Sequence, residues 1–172
     1  MPDITPARLA ALALLLLTLT LLAACGSAPE ATDSADAFTA IQDNATPLPL
    51  PELDPELVAQ GEIIYRQYCA ACHGAQGEGQ PNWKQPLEDG TYPAPPHNAE
   101  GHTWHHGDGT LFKYIKEGGA GLNIPNFKSN MPGFGDTLTD EEIIAVLTYL
   151  KSLWPEEQRR SQYQATLQDP LP

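Results

Sequence analysis

Basic residues, cysteines and methionines are all scarce in this chain. Nine Lys and Arg stand against 22 Asp and Glu, a formal net charge of -13. That balance repels a polyanion and lacks the basic footprint that phosphate neutralisation requires, so nucleic-acid binding is excluded. Three cysteines are an odd number and too few for a disulfide framework, so each has to be read by its position. No internal repeat and no strand-like alternation is present, which removes repeat arrays and β-sandwiches. The 172 residues amount to about one domain. With 17 Pro and 14 Gly, much of the chain lies outside any core.

What is present is arranged in blocks. A short start carrying Asp3 and Arg8 leads into an apolar run from Leu9 to Ala24, which ends in Leu22-Ala23-Ala24-Cys25-Gly26. Polar start, apolar run and small-residue end are the layout of a signal peptide, expected over residues 1–24. The run is short for a membrane span, which takes about 20 apolar residues. Its end resembles the bacterial lipobox, and that resemblance implies lipidation at Cys25, a lasting anchor once two or more acyl chains are present. Removing residues 1–24 takes away one Arg and one Asp, so the acidity belongs to the exported chain. Residues 25–53 are acidic and Pro-rich, closing on Pro47-Leu48-Pro49-Leu50-Pro51. Such a segment buries too little to offset its ordering entropy and reads as a tether, with a reach of roughly 30 Å.

A domain is expected over residues 54–154. Asp54 caps a first helix with Pro55 at its first position, and Leu57, Val58, Gly61, Ile64, Tyr65 and Tyr68 recur at helical spacing. The Gly- and Pro-rich stretch 74–101 reads as loop. A second helix is expected from Asp108, as its cap, to Glu117, closed by Gly118-Gly119. Thr139-Asp140-Glu141-Glu142 is a capping box that opens a third helix running to the approach of Pro155. Residues 155–172 form a tail or a short polar helix.

Cys69-Ala70-Ala71-Cys72-His73 is the attachment pentapeptide for c-type haem. Two thiols at i and i+3 share one side of a helical turn, where they can add to the two vinyl groups of a haem, and the next residue's imidazole falls under the iron. The same spacing occurs in redox Cys-x-x-Cys motifs, but those want a βαβ surround, and a zinc site wants further thiolates. The exported chain offers only Cys25.

From Asp54 to Trp154 the sequence resembles class I cytochromes c. The resemblance implies an all-α fold, about three core helices wrapped round one covalently bound haem c with long loops. It also implies a sixth ligand from Met131, in Asn130-Met131-Pro132-Gly133-Phe134, a loop just before the last capped helix. Apart from the initiating residue this is the only methionine, and a thioether opposite an imidazole raises the reduction potential. Pro81, in Gly77-Glu78-Gly79-Gln80-Pro81, matches the family's proline whose carbonyl accepts from the haem histidine. Gly61 with Tyr65, and Tyr149 with Leu150, sit where the first and last helices of the family cross. Trp83, Tyr92, Trp104 and Phe134 are candidates for the haem wall or for plain core.

His97, His102, His105 and His106 crowd one loop. They read as hydrogen-bonding residues of that loop, against two competitors: a histidine replacing Met131, and a zinc or copper pair at His102 and His105. The functional expectation is a membrane-anchored carrier of single electrons on the extracytoplasmic side, held to the cell membrane, or to an outer membrane since Gly26 replaces the aspartate of inner-membrane retention. Its acidity implies redox partners with basic faces. The alternatives are a fixed subunit of a respiratory or photosynthetic complex, such as alternative complex III, and a haem sensor or peroxidase-like enzyme with an open iron.

Overall fold

The computed structural model describes residues 48–122 and 124–172, and the expected signal peptide, Cys25 and most of the tether lie outside them. Residues 48–172 make one compact unit. Its order is α1 (Pro55–Tyr68), α2 (Ala70–His73), a 3-10 turn (Thr103–His105), α3 (Asp108–Gly121), α4 (Asp140–Ser152) and α5 (Glu156–Gln168). Among the described residues there is no strand, and no helix is long and apolar enough to cross a membrane.

Helix α1 begins as its sequence dictates. The Asp54 carboxylate accepts from the Glu56 amide at 2.8 Å, and Pro55 fills a position whose amide would have no partner. Helix α4 carries the full capping box, with Thr139 and Glu142 each accepting from the other's amide at 3.2 and 2.8 Å. These two helices pack across the centre of the molecule. They approach at Gly61, where an added Cβ would collide with the Ala145 carbonyl and lie 2.9 Å from the Tyr149 Cβ. Around the crossing, Tyr65, Ile143 and Val146 are fully buried, joined by Leu111, Phe112 and Ile115 of α3. Each such side chain contributes about 1.5–3 kcal/mol by leaving water.

Helix α3 departs from its sequence reading at both ends. Its cap is Gly107, not Asp108. The Asp108 side chain is buried and otherwise engaged, with Oδ2 2.6 Å from Lys151 Nζ and Oδ1 accepting from Gln162 Nε2 at 2.7 Å. The anionic group serving the α3 N-terminus comes instead from Asp169, whose carboxylate accepts from the Thr110 amide at 2.8 Å. At the other end Gly118 kinks the helix with φ 73°, and a last turn continues to Gly121.

The tail forms α5. Its surface is polar all round, so its apolar pattern gives no reason for it to fold. It is held by specific polar contacts: Gln162 is buried between α3 and the 3-10 turn, Gln158 donates to the Ala99 carbonyl, and Arg160 bonds Glu156 one turn back. Arg159 and Arg160 donate to the carbonyls of Pro51 and Leu48. The end of the expected tether therefore lies on this helix within the compact unit.

Candidate haem site

The pentapeptide is a helical turn of its own. Cys69 closes α1 and opens α2, and its carbonyl accepts from the amides of Cys72 at 3.1 Å and His73 at 3.0 Å. That turn puts both cysteines on one side, as unpaired thiols, Cys72 exposed and Cys69 half-buried. Burial pushes the Cys69 thiol up to about 11, with Cys72 adding to the effect. Tyr65, beneath the turn, donates from its hydroxyl to the Gly74 carbonyl at 3.0 Å and ties α1 to the end of the motif.

His73 is buried, and its Nδ1 lies 2.9 Å from the Pro95 carbonyl. A carbonyl can only accept, so Nδ1 carries the proton and Nε2 keeps its lone pair. Burial, the larger effect, holds the imidazole below its ordinary pKa and so favours the neutral ring a metal requires, while the bond to Pro95 opposes it.

The carbonyl partner corrects the sequence reading, which assigned that role to Pro81. Pro81 is an exposed residue of the turn after Gln80. Pro95 is brought under the ring by pairing across the loop: Gln80 donates to Ala94 at 2.9 Å, and His97 and Asn98 both donate to Gly77, at 2.7 and 3.0 Å. The Gly79 amide in turn donates to the His73 carbonyl at 2.7 Å. The fixing bond is the one the resemblance implied, supplied by a proline farther along the chain.

The Met131 loop is braced from several directions. The Met131 carbonyl accepts from Gly119 at 3.1 Å, and its amide donates to Ser129 Oγ at 3.1 Å. Phe134 and Gly135 donate to the carbonyls of Ile115 and Lys116, both at 2.9 Å. Asn130 donates to Thr91 Oγ1 at 3.0 Å, and Lys128 to the Asp89 carbonyl at 3.0 Å. The kink at Gly118 makes room for the loop, because a Cβ there would stand 2.7 Å from the Met131 carbonyl and 2.5 Å from the Gly133 amide. Met131 and Phe134 both pack on the hydrophobic core.

Of the other aromatic candidates, Trp104 packs on that core, donates to the Gly101 carbonyl and stacks on His105 at 3.7 Å. Trp83 lies parallel to His102 at 5.4 Å. Tyr92 is exposed and stacked on Phe127. Two of the loop histidines are thus engaged with indoles, and among the described residues no group of three or more His, Cys, Asp and Glu is placed to hold a metal ion. His97 lies against His73, with ring centroids 4.0 Å apart and planes inclined by 28°. Two imidazoles stacked face to face cannot occupy opposite sides of one iron, so this geometry argues against His97 as the sixth ligand.

The donor set suits an iron porphyrin. It combines two unpaired thiols on one helical turn, an imidazole with its outer nitrogen held and its inner lone pair available, and a soft thioether in a fixed loop. Sequence reading missed Pro95, Ser129, Asn130 with Thr91, and Asp169. The Pro95-Pro96 pair was a visible signal of a rigid segment, whereas the others depend on contacts between distant parts of the chain.

A family model described as cytochrome c matches residues 58–154. Among solved structures, the crystal structure of cytochrome CL from the marine methylotrophic bacterium Methylophaga aminisulfidivorans is similar, at 22% identity and a TM-score of 0.44, over 79% of this chain and 82% of that one. No curated protein matches.

Proposed function

The chain belongs to the cytochrome c family and carries one covalently bound haem c, a redox centre for electron transfer; from that premise we propose that it is a membrane-anchored carrier of single electrons whose iron is held by His73 and Met131. Bound haem supplies the one-electron couple of its iron, and the polypeptide does the rest. Cys69 and Cys72 attach the macrocycle. The Pro95 carbonyl fixes the tautomer and direction of His73. The bonds through Gly119, Ser129 and Asn130 hold Met131 against drift, so ligands need not rearrange on electron exchange.

The observation that carries this reading is the His73 to Pro95 bond, which commits Nδ1 and leaves Nε2 for metal beside two free thiols. With both axial positions filled, the reduced protein will not bind carbon monoxide: its spectrum should stay unchanged under the gas. A carbon monoxide adduct at neutral pH would mean an open iron and a sensor or peroxidase-like protein.

The anchor is supported by the ending of the apolar run at Cys25, and the excess of acidic residues favours a redox partner with a basic face. The wild-type chain expressed with its leader should partition into detergent, and Cys25→Ser expressed behind an ordinary cleavable export leader should move to the aqueous phase. If the variant stays with detergent, lipid at Cys25 is not the anchor.

A further inference from the structure

His97 is the loop histidine nearest the haem ligand. The ring of His97 stacks on that of His73. It is itself tightly held: its amide donates to Gly77 at 2.7 Å, its carbonyl accepts from the Trp154 indole at 2.6 Å, and the edge of Tyr65 meets its ring at 6.2 Å and 75°. The Thr103 hydroxyl lies 3.1 Å from His97 Nδ1 and donates to the Pro96 carbonyl at 3.4 Å, so Nδ1–H is the donor of the first bond.

We propose that His97 is a positioning residue for the haem ligand: its ring sets the rotation of the His73 imidazole about the axis to iron. The Pro95 carbonyl fixes one edge of His73 but allows rocking about that bond. A flat ring on its face removes the remaining freedom. The imidazole plane decides which iron orbital of π symmetry the ligand meets, so its orientation is written into the ferric ligand field, and orientation of a ligand by its neighbours is a general way of tuning a metal. The Pro95-Pro96-His97 segment thus holds the ligand by edge and by face, and the Thr103 side chain links that hold to the 3-10 turn.

This inference rests on His73 being an iron ligand, and the two can fail separately. The test uses the full-length holoprotein, with ferric electron paramagnetic resonance and potentiometry as readouts. His97→Ala is expected to shift and broaden the low-spin g-values and to move the midpoint potential, and His97→Phe, which restores a flat ring, to return the g-values toward wild type. Thr103→Val, which keeps both rings and removes only the hydroxyl, should broaden the signal and serves where His97→Ala does not retain haem. Wild-type g-values and potential in His97→Ala would overturn the proposal, as would equal shifts in the Ala and Phe variants or, where Thr103→Val is the variant used, an unchanged signal. A high-spin ferric signal from the wild type would instead overturn the six-coordinate His73/Met131 reading.

Discussion

Asp169 caps a helix that begins far from it in sequence: its carboxylate accepts from the Thr110 amide at 2.8 Å, while its carbonyl accepts from Gly109 at 2.9 Å. The C-terminal segment therefore satisfies the free amides of α3, the helix whose far end carries the glycines that brace the Met131 loop. Asp169→Ala should lower stability by about 1 kcal/mol, the usual worth of an N-terminal cap. Urea unfolding of the holoprotein measures it. An unchanged midpoint would show that the bond contributes nothing.

The Asp108 to Lys151 pair joins α3 to α4, with the aspartate side chain only 9% exposed and the lysine 21%. Removing one partner leaves a buried charge, and Lys151→Met should cost roughly 3 kcal/mol. Gln162 still donates to Asp108 Oδ1, so the neutral amide of the double variant Asp108→Asn/Lys151→Met should recover part of that loss. A double variant less stable than Lys151→Met would show that the charge is not what the single change exposes.

Acid should destabilise the fold through His97. Burial, and then the neighbouring His73 and His102, hold its pKa well below the ordinary value, so it is neutral in the native state. In the unfolded chain it gains a proton near its ordinary pKa of about 6.5. Below that pH the unfolded state binds more protons, and stability falls by up to about 1.4 kcal/mol per pH unit for this one group. Urea midpoints between pH 7 and 5 test the sign, and His97→Phe should flatten the slope. A slope equal in the variant and the wild type would place the acid sensitivity elsewhere.

Legibility in the sequence followed the range of the interactions. The pentapeptide, the Asp54 cap and the Thr139 capping box are made by residues within a turn of one another, and each is present where its sequence put it. Gly61 was placed at the crossing by the resemblance alone, and the structure puts it there, where the close approach of Ala145 leaves no room for a side chain. Pro81 and Asp108 misled for one shared reason. The resemblance named Pro81 and a local capping pattern named Asp108, and in both cases distant partners decided which residue filled the role: pairing across the loop brought in Pro95, and Lys151 with Gln162 drew Asp108 away from the cap. Helix α5 has no apolar stripe to announce it, and its order comes from contacts to α3, the loop at Ala99 and the segment Leu48–Pro51.

In the proposed haem site, sulfur from Met131 completes the iron coordination opposite His73. Optical spectra of the ferric holoprotein and of Met131→Ala, with a potentiometric titration of each, test it most directly. The wild type is expected to show a sulfur-to-iron charge-transfer band at the red end of its spectrum, and the variant to lose that band and have a lower midpoint potential. A variant that keeps both the band and the wild-type potential would contradict it.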